Sequence, residues 1–220
     1  MARAVKLGPL AREATPSRIA DQLREAVMSG SLPQGSQVGE VMLAGQFGVS
    51  RGPVREAMQR LVQEGLLRSI PHRGIFVVEL TEADVRDIYD ARLAVESAAV
   101  LAIMRRPDVE KVARRLDTVV ARMAAAAERG DGAALSRGDL AFHELLVAQS
   151  GSVRLQRMAS TLLVETRMCL AALTDTYVAP ASRVEEHTDL VAAIRSGDTA
   201  RALATLDEHM RDAVGRLTPA

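Results

Sequence analysis

Apolar residues recur with helical spacing through the first third of the chain. Ile19, Leu23, Ala26 and Val27 form one stripe, and Leu43, Ala44 and Phe47 a second. Val54, Ala57, Met58, Leu61 and Val62 form a third, at i, i+3, i+4, i+7 and i+8. Turn residues separate the stripes. Thr15-Pro16 reads as a cap followed by proline at the first helical position, and Gly30 stops that helix. The loop SLPQGSQ follows, then a short helix near Glu40–Phe47. Gly48-Val49-Ser50 is a tight turn in which Gly48 can take a positive φ. Ser50 can cap the third helix, and Pro53 is tolerable in its first turn. That helix ends near Gly65.

Beyond Gly65 the period changes. Leu66–Ile70 is short and β-compatible, Pro71–Gly74 is a turn, and Ile75–Val78 is β-branched and aromatic, so the segment predicts a hairpin. Three helices followed by a two-stranded hairpin make a winged helix-turn-helix. The second of the two helices joined by the short turn is the recognition helix of that motif. Thr81-Glu82-Ala83-Asp84 reads as a capping box, and everything after it has helical period. Helices are predicted near 82–104, 108–128, 132–149, 153–173, 182–196 and 198–216, with breaks at Arg106-Pro107, Gly130, Gly151, Ala179-Pro180 and Gly197. The expected fold is mainly α: an N-terminal winged helix-turn-helix plus a C-terminal all-helical bundle of about six helices. The expected organisation is a flexible arm over 1–14, the winged domain over 15–79 and the bundle over 80–220.

Composition narrows the setting. The chain has 220 residues, few aromatics and no Trp, which favours helices. No run of about twenty apolar residues is present, so no membrane span is expected. MARAVKLGPLAREATP has no apolar core of a secretory signal. The single cysteine, Cys169, excludes an internal disulfide and fits a reducing cytoplasm. Among Leu163, Val164, Met168 and Leu170 it reads as a small core residue rather than a nucleophile. A net charge of zero argues against a simple polycation. Through Leu80, however, ten Lys/Arg face seven Asp/Glu, the sign that nucleic-acid binding requires.

Two groups of side chains carry candidate chemistry. Arg51, Arg55 and Gln59 recur at i, i+4 and i+8, away from the apolar stripe of the third helix. Arg and Gln can make bidentate contacts to base edges in a major groove, although such a face is also what a merely solvated helix shows. His72 and Arg73 stand at the hairpin tip, as wing contacts or as ordinary turn residues. In the second half, Asp139 and His143 are one helical turn apart. His187 lies ten residues before Gly197 and His209 twelve after it. In a helical hairpin these distances are roughly 15 and 18 Å from the turn, so the two imidazoles stand nearly level. Three imidazoles and a carboxylate suit zinc or another divalent transition metal. The alternative is three ordinary surface or core histidines.

These residues together resemble a known family. GVSRGPVREAMQRLVQEGLL followed by HRGIFV is similar to the GntR family of bacterial transcription regulators. The second half resembles its FadR-like subgroup, whose helical FCD-type domain binds small-molecule effectors. The resemblance runs from about Thr15 to near the end. DLAFH, EEH and DEHM match positions where that domain carries Asp and three His as metal ligands, which implies Asp139, His143, His187 and His209 here. The implied metal is zinc first, with nickel, manganese and iron as alternatives. Arg51 and Arg55 resemble the family's major-groove contacts, with Gly52 and Gln59 on the same helix. Gly52 stands where the family often has Thr, and Val41 where many members have an Arg that reaches DNA. His72, Arg73 and Gly74 resemble the wing tip, and Arg92 matches an arginine that could meet a carboxylate effector or else pair with Glu96. The resemblance implies a cytoplasmic homodimer that binds a pseudo-palindromic operator on double-stranded DNA. Its affinity would respond to a small organic acid, most often as a repressor. Two rivals stand beside this reading: a DNA-binding protein with a purely structural bundle, and a metal-dependent hydrolase. Against the hydrolase, no general base placed by a motif, nucleophile elbow or phosphate loop is present.

Overall fold

A computed structural model describes residues 15–171 and 180–218. The arm expected over 1–14 and the segment before Pro180 lie outside them. The chain divides into two units, Met1–Val78 and Glu79–Ala220.

The first unit runs α1 (Thr15–Met28), β1 (Gln37–Val38), α2 (Glu40–Phe47), α3 (Arg51–Gln63), β2 (Leu67–Ile70) and β3 (Gly74–Val77). The three predicted stripes bury Ile19, Leu23 and Val27, then Leu43 and Ala44, then Val54, Ala57, Met58 and Leu61. Gly48 takes φ 63° between α2 and α3, the left-handed value a glycine adopts without a Cβ clash. Ser50 is the N-cap residue of α3 with extended backbone, but its hydroxyl makes no capping bond. The turn is closed by backbone instead, Val49 N–H donating to Ala44 O at 3.1 Å. The sheet has three strands, in the order β1-β3-β2 and all antiparallel, where a two-stranded hairpin was expected. The extra strand is only Gln37–Val38, paired to Phe76 and Ile75. Two residues at the end of a polar loop are too short to show alternation.

The second unit contains α4 (Glu82–Met104), α5 (Val109–Glu128), α6 (Gly132–Gln149), α7 (Val153–Ala171), α8 (Pro180–Arg195) and α9 (Thr199–Leu217). Thr81 and Asp84 form the expected capping box, Asp84 N–H donating to Thr81 Oγ1 at 3.2 Å and Thr81 N–H to Asp84 Oδ2 at 2.8 Å. Asp131 and Asp198 cap α6 and α9 through their side chains. α5 packs on α6 and α8, and α4 packs on α7 and α9. The core holds Ile103, Leu116, Met123, Phe142, Leu146, Leu190, Ile194 and Leu206. Gly138 allows the close packing of α6 on α5: a Cβ there would sit 2.6 Å from Met123 Cγ. The next residue on that helix is Asp139. Within this apolar bundle, α4 buries two charged side chains, Arg92 and Glu96, and α6, α8 and α9 bury Asp139, His143, Arg183, His187 and His209.

Candidate functional site

The first candidate surface is built by α2, α3 and the hairpin. Arg51, Gly52, Arg55 and Gln59 are all exposed on α3, while Val54, Ala57, Met58 and Leu61 are buried on the opposite side. One carboxylate joins the two arginines. Glu40, at the start of α2, accepts from Arg51 Nε at 2.9 Å, and from Arg55 Nη2 at 2.9 Å and Nε at 3.1 Å. The bonds from Arg55 and then Arg51 hold the Glu40 carboxyl below the usual carboxylate range. Nothing in the sequence distinguished Glu40 from other first-turn acids. At the hairpin tip His72, Arg73 and Gly74 are exposed. His72 has φ 60° and Gly74 φ 106°. Gln37 Nε2 donates to Arg73 O at 2.8 Å, and a Cβ on Gly74 would lie 2.9 Å from that same nitrogen. The glycine is therefore required by the wing's own backbone, whatever it touches besides.

The second site lies inside the bundle. The structure brings Asp139, His143, His187 and His209 together, one ligand atom of each within 4.8 Å of the others, and all four residues are buried. α6 supplies the first two, α8 and α9 one each. The His187 and His209 rings stand 4.6 Å apart, centroid to centroid, so the two last helices do hold them level. Phe142 packs edge-on against His187 at 4.7 Å and excludes water from that side.

Each imidazole is oriented by a bond at Nδ1. His143 Nδ1 lies 2.6 Å from Glu96 Oε2, His209 Nδ1 2.8 Å from Glu186 Oε2, and His187 Nδ1 2.6 Å from Arg183 O. Carboxylates and a carbonyl only accept, so all three Nδ1 atoms donate. A neutral ring held this way keeps its lone pair on Nε2, as a metal ligand requires. His143 Nε2 and His209 Nε2 face one another at 3.0 Å, and His187 Nε2 is buried with no hydrogen-bond partner. Two imidazole lone pairs at that distance repel each other unless a cation lies between them.

The electrostatics point the same way. Burial pushes the His143 ring below its ordinary value despite Glu96 beside it, and pushes His187 down to about 3. Burial also disfavours ionised Asp139, but the His187 ring and the Arg183 guanidinium, 3.1 Å from Oδ1, outweigh it, and the carboxyl lies below the usual range. Glu96 behaves similarly: burial opposes the anion, His143 and Arg92 favour it more, and the carboxyl is held at about 2. Glu186 is also held at about 2, with His209 and Arg216 countering its burial.

The sequence matches two family models, "Bacterial regulatory proteins, gntR family" over residues 15–77 and "FCD domain" over residues 87–212. The chain belongs to the GntR family. A regulator of helix-turn-helix type from the TAR-I ttuE-ttuC' intergenic region of Agrobacterium vitis is 40% identical over 128 residues, 57% of this chain and 75% of that protein. The gluconate operon transcriptional repressor of Bacillus licheniformis is 29% identical over 213 residues, 94% of this chain and 87% of its own. A crystal structure of a GntR transcriptional regulator from Rhodococcus sp. RHA1 superposes with a TM-score of 0.76 at 25% identity, covering 92% of this chain and 96% of that one. This GntR chain is accordingly a DNA-binding transcription regulator and not an enzyme.

Three side chains around the site of this FCD domain carried no signal as its partners: the buried Glu96 and Arg183 and the half-buried Glu186. Glu96 and Arg183 hold His143 and Asp139, while Glu186 couples His209 to Arg216. Arg92 is 2% exposed and pairs with Glu96 through Nε at 2.9 Å, the ion pair that its spacing allowed. Its Nη1 reaches Thr166 Oγ1 at 3.5 Å, and its Nη2 has no hydrogen-bond partner. Cys169 is buried and its thiol is pushed up to about 12, which fits a core residue and not a nucleophile. Among the described residues, no helix is long and apolar enough to cross a membrane.

Proposed function

We propose that this regulator is a metal-dependent sensor of small carboxylates that controls its own occupancy of a pseudo-palindromic operator. The observation that carries this is the convergence of Asp139, His143, His187 and His209, with each imidazole oriented through Nδ1. Four such donors fit a divalent transition metal, zinc first, and a five- or six-coordinate ion held by them has a position for a further oxygen ligand. A bound cation would add its attraction for an anionic oxygen to that of the buried arginines. Arg92 supports a carboxylate as that ligand, because its buried Nη2 is a donor without a partner. Arg51, Arg55 and Gln59 would read bases and Gly52 would let the backbone approach DNA, with His72, Arg73 and Gly74 at the wing. Acting as a cytoplasmic homodimer, the protein would repress by occupying two half-sites. The effector would shift operator affinity only as far as it binds one arrangement of the protein more tightly than another.

The test uses the full-length protein. Elemental analysis should find about one divalent metal per chain. Operator duplexes selected from a random pool should then bind with an affinity that members of a carboxylate panel change. Chelation, or His187→Ala, should abolish that response. Metal without any carboxylate response would leave a structural metal, and neither would leave a structural bundle, the two outcomes that overturn the proposal.

A further inference from the structure

Glu40 is an acid on a surface that has to meet phosphate. Its own side chain is 21% exposed, and the two arginines it joins are 61% and 59% exposed. Ion pairs this open to solvent contribute little to stability, so folding does not explain the arrangement. What Glu40 does geometrically is specific. Arg51 offers it Nε, and Arg55 offers it Nε and Nη2. Both guanidiniums therefore turn the edge that carries Nε toward the carboxylate. The planar group has five N–H donors in a rigid fork, and the pair of Nη protons at its far end is not used by Glu40. That end is the part of arginine that grips O6 and N7 of guanine. A free arginine is a long, rotamer-rich chain that must be ordered before it can make such a contact.

We propose that Glu40 is a specificity-determining residue of this regulator: it positions Arg51 and Arg55 so that both present their outer N–H pairs to guanine in the major groove. The proposal rests on Arg51 and Arg55 as base-reading residues. Glu40 touches no base itself. It restricts the two guanidiniums before DNA arrives, and it discourages their use as generic phosphate clamps, since each already has an anion at its inner edge. Preorganisation of this kind raises the preference for the right base more than it raises affinity for DNA in general.

Operator duplexes selected from a random pool by the full-length wild-type protein provide the probe. Binding is measured to that operator, to the operator carrying 7-deazaguanine at each protected guanine, and to a random duplex. In the wild type, removal of N7 at a contacted guanine should cost about tenfold. In Glu40→Ala that penalty should fall to about twofold, and operator affinity should drop about tenfold, with affinity for random DNA unchanged or higher. Glu40→Gln keeps one acceptor oxygen and should lie between. Thermal unfolding of each variant should match the wild type, since both arginines that Glu40 joins are exposed. If Glu40→Ala raises affinity for operator and random DNA alike, Glu40 only opposes phosphate and the proposal fails. An unchanged N7 penalty in Glu40→Ala also overturns it. Arg51→Ala and Arg55→Ala separate the two layers. If neither changes base preference, the arginines do not read bases. If they change it and Glu40→Ala does not, only the positioning role is wrong.

Discussion

Glutamine at position 96 is a small change with a large expected effect. Glu96 is 1% exposed and receives two donors from two sides, Arg92 Nε at Oε1 (2.9 Å) and His143 Nδ1 at Oε2 (2.6 Å). A glutamine side chain has the same shape but one acceptor and one donor. If its oxygen keeps Arg92, its NH2 group faces His143 Nδ1. That nitrogen must then accept, and the ring proton moves to Nε2. A protonated Nε2 cannot bind a metal, and it points at His209 Nε2 3.0 Å away, to which it would donate. The expected loss in zinc affinity is about 100-fold, the upper end of what removing a ligand's supporting partner costs. Stability should fall as well, because a buried arginine loses its counter-charge. Breaking such a pair costs about 3–5 kcal/mol, and one retained hydrogen bond puts Glu96→Gln near about 3 kcal/mol. A domain stable by about 5–15 kcal/mol survives that loss. Urea unfolding in the presence of chelator measures the stability change, and competition against a chromophoric chelator measures the affinity. The tautomer is read directly from imidazole nitrogen shifts in a two-dimensional NMR spectrum of the labelled protein. A stability loss under about 1 kcal/mol with unchanged zinc affinity would refute this account of Glu96.

Three further outcomes follow from the same geometry. Metal removal should lower the melting temperature: at a free metal concentration 100 times Kd the ion contributes about 2.7 kcal/mol, or roughly 5–10 °C for a domain of this size, and a melt of His187→Ala should no longer respond to chelator. Acid should weaken the bundle through Glu96. Its folded carboxyl at about 2 lies below the ordinary 4.5, so its contribution is complete above 4.5 and disappears as pH falls toward 2. Urea midpoints between pH 5 and 2.5 should show this slope, and Glu96→Gln should flatten it; equal slopes would remove Glu96 from the account. Gly138→Ala puts a Cβ 2.6 Å from Met123 Cγ, so it should cost about 1–3 kcal/mol and weaken metal binding by displacing Asp139. A variant with full stability would show that Met123 moves aside freely.

Much of the fold was legible because its signals are local. The capping box at Thr81, the stop at Gly30 and the left-handed turn at Gly48 need only neighbours in sequence, and each lies where the residues imply. β1 was not legible, since its two residues have meaning only opposite Phe76 and Ile75 on a later strand. Ser50 shows the converse: the residue type suits a cap, yet its hydroxyl makes no capping bond. At the buried histidine cluster, spacing placed His187 and His209 level across the α8–α9 turn, but it did not fix which way either ring faced. That orientation is set by Glu96 on α4, Glu186 on α8 and the Arg183 carbonyl. Glu186 beside His187 and Glu208 beside His209 look alike in sequence, as marks of a partly solvated stretch. The structure separates them: Glu186 binds the His209 ring, whereas the Glu208 side of α9 faces solvent.

The same division of labour occurs in both units. Residues that can be picked out by type, Arg51 and Arg55 on α3 and three histidines in the bundle, are the groups that would meet a ligand. Glutamates sit behind most of them and set their direction: Glu40 for the arginines, Glu96 for His143 and Glu186 for His209. A flexible cation or a ring with two tautomers is a poor recognition element until something selects one state of it. A carboxylate selects by accepting at one named nitrogen and leaving the other atoms to the ligand. This also changes what the neutral overall charge means. Zero net charge argued against a polycation that coats DNA through phosphate alone, and it is compatible with a protein whose acids hold its donors in place. Such a protein should depend less on salt for operator binding than the number of its exposed arginines suggests, because Arg51 and Arg55 would exchange few counterions. A slope of log affinity against log salt as steep as two extra phosphate contacts would contradict that.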